Sequence, residues 1–249
     1  METVVILLSI IFLALVFFVC GKKGFRIIFS LFVTIAALVW VITPLIVGGY
    51  NPELVVLLVA LPIVVCIVYV TEGFTTLSHL SVAGVALNFL CISAVVYGAV
   101  SAAHLTGITS TDDSFLGLAG INLQQLLTAG IMLGTLGMLT EMVVTQVATV
   151  LEFAAASPNA PMREIYRQSY VVGIAHLGSI INTLFLVYAG VSLPLLIVYV
   201  GDGSSLTSAL NYEPLVSDII RTLVGVIGLI IAMPTSTALA TWWQKGRQS

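Results

Sequence analysis

The chain has 249 residues, of which 59% are hydrophobic and 8% charged, with a formal net charge of −3 and a mean hydropathy of +1.17. A soluble domain has about a quarter charged residues, so this composition excludes a soluble globular protein. No basic stripe with interleaved aromatic residues occurs, and the three cysteines lack CxxC or Cys/His spacing, which argues against nucleic-acid binding, structural zinc and a disulfide framework.

Seven apolar runs in the chain are long enough to cross a bilayer, each providing roughly the 20 residues that a span requires. They predict an all-α fold, a polytopic transmembrane helix bundle that forms a single integral membrane domain over residues 1–249. The predicted spans are residues 4–20, 27–47, 54–70, 80–103, 126–153, 169–190 and 216–243.

The basic residues predict the orientation of the bundle. Short loops rich in Lys and Arg stay in the cytoplasm, and seven of the eight basic residues fall on one predicted side, with Arg221 as the exception. We therefore expect an outside N-terminus and a cytoplasmic C-terminus. The seven basic residues are Lys22, Lys23, Arg26, Arg163, Arg167, Lys245 and Arg247.

The first apolar run is compatible with either an uncleaved membrane anchor or a cleaved leader. The segment before it carries Glu2 and no basic residue, and Val19 before Cys20 is not the small residue that a cleavage site needs. The basic cluster that follows the run favours the anchor.

The stretch after the sixth predicted span, residues 191–200, is apolar but too short to cross the membrane. Pro194 is expected to break the helix there. A re-entrant segment near Pro194 fits this pattern if neighbouring helices shelter its backbone.

Glu141 is the most informative polar residue, because it lies about twelve residues, or roughly 18 Å, from the inner end of the fifth span. An ionisable group at such depth costs roughly 2.5–3.5 kcal/mol on insertion scales. We expect Glu141 to be a proton or cation site, although a structural hydrogen bond is the alternative interpretation.

His176 lies about eight residues into the sixth span, roughly 12 Å from the same side. Because the fifth and sixth spans form an antiparallel hairpin, His176 is expected nearly level with Glu141. An imidazole beside a carboxyl group can hold or pass a proton, whereas a packed core histidine is the plainer interpretation.

Further polar residues lie at similar depth in the fourth to seventh spans. Taken singly they indicate interhelical hydrogen bonds, and taken together they predict a polar cavity in the inner half of the membrane. The candidate site residues beside Glu141 and His176 are Asn88, Thr145, Asn182, Thr235 and Ser236.

Small residues and prolines mark the same helices. Gly130, Gly134 and Gly137 form a stripe on the fifth span that is typical of close helix packing, and Gly178 is its expected counterpart on the sixth. Pro234 is expected to break or kink the seventh span, either as a plain kink or as a local site for a cation or water.

Motifs of known enzymes are missing from the sequence. No HExxH, GxSxG or P-loop pattern occurs, so we expect neither an enzyme nor a bound cofactor or metal.

The second half of the chain resembles the YibE/F-like family of bacterial membrane proteins, in particular its short, YibF-type members. The resemblance covers residues 117–240, with a looser fit of the third and fourth spans. Three blocks carry it, GIMLGTLGMLTEMVVTQVATVLEF (130–153), VGIAHLGSIINTLFLVYAGVSLPLL (172–196) and LNYEPLVSDIIRTLVGVIGLIIAMPTSTALA (210–240).

The chain departs from the family pattern at two places. Glu141 occupies an acidic position that is usually aspartate, and Ile174 and Ala175 replace a common Arg-Asp pair. His176 resembles a histidine of some members. The resemblance implies a multi-pass protein of the bacterial plasma membrane that assembles with a longer YibE/F-like partner.

From these observations we expect a permease subunit of a heteromeric complex that conducts a small solute or ion past Glu141 and His176. The alternative is a structural or regulatory subunit that conducts nothing and assembles with a partner membrane protein through its outer loops.

Overall fold

The computed structural model describes residues 2–109, 117, 120–201 and 206–248. Seven helices in this part of the chain are long and apolar enough to cross a membrane, which confirms the predicted all-α bundle. They are α1 Glu2–Cys20, α2 Lys23–Val47, α3 Pro52–Glu72, α4 Thr76–Ala102, α5 Leu123–Ala156, α6 Met162–Val191 and α9 Glu213–Gln248. Two short helices, α7 Leu193–Gly201 and α8 Leu206–Ala209, stand between α6 and α9.

Polar side chains cap the first turns of three spanning helices. The Asn51 carbonyl oxygen accepts from two backbone N–H groups of α3, at 2.9 and 3.2 Å. Thr75 and Asn122 accept in the same way at the starts of α4 and α5, at 3.3 and 3.1 Å. Each cap satisfies a backbone donor that has no partner inside its helix, so these residues define where the helices begin.

The centre of the bundle consists of α4, α5 and α9, with α6 packed against α5 and α9. About half of the spanning segment of α4 and of α5 is buried within the chain, at 50% and 56%, whereas none of α1 is. Helix α1 packs on α2, which packs on α3. The first three helices therefore lie at the edge of a compact four-helix core.

Two short π-helical segments, Leu38–Ile42 in α2 and Val56–Ala60 in α3, each stand just before a proline. Proline has no N–H to give to the carbonyl of the preceding turn, and a π turn shifts the hydrogen bonding past it. The Thr43 hydroxyl donates to the carbonyl that begins the first segment, at 2.8 Å.

The two prolines predicted to break helices behave differently. Helix α6 ends at Val191, and Pro194 lies in the first turn of α7, which has nine residues and is too short to cross a bilayer. Helix α9 instead continues through Pro234. The break expected there does not occur, because α4, α5 and α6 support this helix from several sides and the Thr235 hydroxyl donates to two carbonyls of the preceding turn, at 2.9 and 3.0 Å.

We call the end of the bundle that carries Arg163 and Arg167 the basic end, and the end that carries Glu213 the acidic end. At the acidic end, the Glu213 carboxylate accepts from the Thr106 hydroxyl at 2.8 Å and from the Gly107 N–H at 2.6 Å. This pair of hydrogen bonds ties the segment after α4 to the start of α9.

Candidate functional site

Glu141 lies at the middle of α5, eighteen residues after Leu123 and fifteen before Ala156. It is therefore about 22 Å from the nearer end of its helix, whose 34 residues extend beyond the predicted span at both ends. Its side chain is exposed, and it forms no hydrogen bond or ion pair with any described residue. The carboxyl group thus points away from the core at mid-depth.

Helix α5 presents an open face, which we define as Gly130, Gly134, Gly137, Glu141 and Thr145, all exposed. A Cβ atom at Gly130 or Gly137 would meet nothing within 4 Å, and at Gly134 it would meet only a tyrosine hydroxyl of α6, at 3.9 Å. The close packing expected of the glycine stripe is therefore not made with any of the described residues, because the stripe faces away from α4 and α9.

Beside the open face runs a groove of about 510 Å³ between α5 and the pair α2 and α3. Gly134, Gly137 and Thr140 line it from α5, and Thr34 lines it from α2. Its other lining residues are apolar. One side of the face is thus bounded by the edge helices, with room left between them and α5.

His176 lies on α6, half-buried, with Nε2 buried and without a hydrogen-bond partner among the described residues. The register of α6 against α5 is set by two contacts, one on either side of Glu141. Gly173 of α6 lies against Gln146 of α5, and the Tyr188 hydroxyl of α6 lies near Gly134 of α5. Interpolating between them places Glu141 level with roughly residues 178–181, and His176 about one turn nearer the basic end. No hydrogen bond joins His176 to Glu141 in the described structure.

The predicted site residues separate into an outward group and an inward group. Glu141, Thr145, Gly178 and Asn182 are exposed on α5 and α6, and Asn88, Thr235 and Ser236 lie between α4 and α9. A side chain on the outer surface cannot line the same interior space as one in the core. These residues therefore do not assemble into the single interior cavity that their shared depth predicts.

The inward group is largely paired. The Thr235 hydroxyl donates to the Asn88 side-chain oxygen at 2.9 Å, and the Asn88 amide donates to the Gly84 carbonyl at 2.8 Å. Ser236 is fully buried beside Gly84, and its hydroxyl has no partner in the described part of the chain. This arrangement holds α4 against α9 and corresponds to the plainer interpretation of these residues as interhelical hydrogen bonds.

A polar contact that the sequence reasoning missed centres on Gln146. Its amide donates to the Ser169 carbonyl of α6 at 2.9 Å and to the Thr237 hydroxyl of α9 at 2.8 Å. The residue is 1% exposed, and Gly173 leaves the space for its side chain. Burying a primary amide without partners is costly, so these bonds join three helices at one point.

A signal for this contact exists in the sequence. Gln146 falls on the helical face of Leu139, Val143 and Val150, all of which are fully buried. Residues three to four apart share a face of a helix, so an amide on an apolar stripe indicates an interhelical hydrogen bond.

Replacing Gly173 with Ala is expected to destabilise the protein by about 1–3 kcal/mol. The new Cβ would lie 2.6 Å from Gln146 Oε1 and 3.0 Å from its Cδ, so the amide would have to leave its two partners. Thermal unfolding in a fixed detergent measures the loss.

Gly178→Ala is the matched control on the same helix, because a Cβ there meets nothing within 4 Å. We expect it to change stability by less than about 0.5 kcal/mol. Combining Gly173→Ala with Gln146→Ala should remove most of the added cost of the first change. Equal stability of the two glycine variants would contradict this account of Gln146.

Comparison with known proteins finds one family. The sequence model of the family described as YibE/F-like protein matches residues 8–246. No curated protein and no solved structure matches the chain.

Proposed function

The chain belongs to the YibE/F-like family, and on this premise we propose that it is a subunit of a transport-related membrane complex whose conduction path follows the open face of α5. Glu141 is the proton- or cation-binding residue of that path. The observation that carries the proposal is the exposed, unpaired carboxyl group of Glu141 at the midpoint of a spanning helix.

The cost of that carboxyl group argues for a polar neighbour outside this chain. Facing lipid at mid-depth costs roughly 2.5–3.5 kcal/mol even with local rearrangement of the bilayer. Water, a bound cation or a hydrogen-bond donor from another chain would remove this cost. No described residue of this chain supplies such a partner. The open face is therefore expected to be wetted or covered in the working assembly.

The interior of the bundle is a weaker candidate for the path. The Asn88–Thr235 and Gln146–Thr237 pairs use the polar groups there to join helices. A path needs groups that can exchange partners. The exposed polar groups of α5 and α6 face outward, whereas the buried polar atoms of α6 without a partner among the described residues are Ser169 Oγ and His176 Nε2. Thr145 and Asn182 are the exposed groups nearest the path, and the unpartnered Nε2 of His176 lies about one turn away.

A longer YibE/F-like protein is the proposed partner, placed against the open face and the groove beside it. The proposed membrane is the bacterial plasma membrane, with the basic end in the cytoplasm as the distribution of Lys and Arg requires. Close approach of a partner helix is favoured by the three glycines, because each exposes backbone rather than side chain.

Labelling with a membrane-impermeant maleimide tests the path without knowledge of the solute. In the assembled complex, with Cys20, Cys66 and Cys91 replaced by Ser, single cysteines are placed at Gly137, Glu141 and Thr145, and at Leu186 as a lipid-facing control. We expect labelling at 141 and at a neighbouring position, and none at 186. Failure to label 137, 141 and 145 would favour the alternative, a subunit that conducts nothing.

A further inference from the structure

A second feature, at the acidic half of the bundle, is an apolar cleft between α6, α7 and α9. From its lining we propose that it binds an amphipathic cation, with the apolar body in the cleft and the charged head against Asp218. This inference rests on the lining of the cleft and on Asp218, and it does not depend on the proposed conduction path.

The cleft has the size and lining of a small-molecule site. Its volume is about 360 Å³, within the range of ligand pockets, which are mostly apolar with a few polar groups that fix orientation. Phe185 and Tyr188 line it from α6, Leu196 from α7, and Leu215 and Ile219 from α9. An apolar ligand body of moderate size is therefore accommodated.

Asp218 carries the one carboxyl group among the described residues that line the cleft. Its Oδ2 accepts from the Ser192 hydroxyl at 2.7 Å, and its Oδ1 lies 3.4 Å from a nitrogen of Arg221. That second contact is an i,i+3 ion pair, but it is longer than the 2.7–2.9 Å typical of charge-assisted hydrogen bonds. A carboxylate accepts about four hydrogen bonds, so Asp218 retains acceptor capacity toward the cleft.

Two of the three hydroxyl donors of the lining are already committed. Ser192 donates to Asp218, and Thr222 donates to the Asp218 backbone carbonyl at 2.8 Å. The Tyr188 hydroxyl lies toward Gly134 of α5. Arg221 is not among the lining residues. The cleft thus presents the acceptors of a carboxylate to a ligand, while the guanidinium that pairs with this carboxylate lies outside the lining, which favours a cationic donor over an anionic head group.

A lipid tail is the competing occupant of any apolar cleft at a membrane surface. It would fill the space without regard to charge, and a phosphate next to the tail would be repelled by Asp218. The two occupants therefore differ in how they respond to removal of the Asp218 charge.

Binding of tritiated dodecylammonium to the full chain in phosphatidylcholine nanodiscs tests the proposal. We expect saturable binding that falls at least about tenfold in Asp218→Asn, the scale of losing one charged partner. Ala189→Phe, which fills the cleft from its exposed wall and keeps the charge, should give a similar loss. Glu152→Gln, a charge change on the exposed part of α5 near the basic end, should bind like the original chain.

Competition on the unaltered chain keeps the test independent of how Asp218→Asn folds. Decylammonium should displace the probe at least about tenfold better than decanol or decyl sulfate. Equal competition by the three, or unchanged binding in Ala189→Phe, would overturn the proposal and leave a groove filled by lipid.

Discussion

Glu141→Gln is expected to reduce transport by the assembled complex about 100-fold or more, the scale of removing a positioned proton-transfer group. Glutamine keeps the size of the side chain and remains polar, but it cannot release or bind a proton near neutral pH. The measurement is proton uptake into vesicles that contain the complex, followed with an internal pH-sensitive dye.

The same substitution should leave folding and assembly unchanged. Glu141 is exposed and forms no bond with any described residue, so its replacement removes no contact from the bundle. If anything, neutralising a carboxyl group at mid-depth lowers the cost of insertion. Yield, elution volume and unfolding temperature are the checks that separate a lost activity from a lost fold.

Glu152→Gln is the matched control for that experiment. Glu152 lies eleven residues after Glu141 on the same exposed face of α5, close to the basic end of the helix. If proton uptake depended only on the negative charge of this face, both variants would lose it. If it depends on a site at mid-depth, only Glu141→Gln loses it. Full proton uptake in Glu141→Gln, or equal losses in both variants, would reject the assigned role.

Gly107→Ala is expected to cost about 3 kcal/mol or more of stability, the largest structural effect that we predict for a single methyl group. Gly107 has φ +86°, a conformation that side chains rarely adopt, and an added Cβ would lie 2.2 Å from the Leu123 carbonyl oxygen. Because this oxygen belongs to the backbone at the start of α5, no side-chain rotation relieves the clash. The turn would have to move, and the hydrogen bond from the Gly107 N–H to Glu213 would be lost with it.

Gly120→Ala separates the two causes. Gly120 has a nearly equal φ of +83°, but a Cβ there meets nothing within 4 Å. This variant should therefore lose only the conformational term of about 1–2 kcal/mol of unfolding free energy. The difference in stability between the two variants then measures the clash. Thermal unfolding of both proteins in one detergent gives the comparison, and equal unfolding temperatures would contradict the predicted role of the segment after α4.

The spans could be predicted from the sequence because the hydropathy of a segment and the basic residues beside it can be read directly along the chain. Each predicted span lies within one spanning helix apart from Ala103, which lies one residue beyond α4. The capping residues Asn51, Thr75 and Asn122 were available as local signals for the helix starts. These properties need no knowledge of which helices are neighbours.

Which side of a helix faces the core could not be predicted in the same way. Lipid is as apolar as a protein interior, so hydropathy does not distinguish a buried face of α5 from an exposed one. Glycines at positions 130, 134 and 137 indicated packing, but the glycines in tight contact with another helix of the core are Gly84, Gly173, Gly225 and Gly228. Glu141 and Asn88 were assigned to one site because they lie at similar depth, although Glu141 faces outward and Asn88 lies in the core.

The face on which a residue lies follows from neighbouring residues along the same helix. Thr145, four residues after Glu141, shares its exposure, whereas Gln146 shares the burial of Met142 and Val143. Sorting polar residues by helical face, in addition to depth, would have separated the open face from the interhelical hydrogen bonds.

The most direct test of the account is to identify what covers the open face in the native membrane. A photoreactive benzoylphenylalanine is placed at Gly137, and at exposed Phe12 on α1 as a control, and the adducts formed after irradiation are analysed by mass spectrometry. The account predicts a protein adduct from position 137, with a longer YibE/F-like chain as its expected partner. Adducts with lipid alone from position 137, equal to those from position 12, would contradict it.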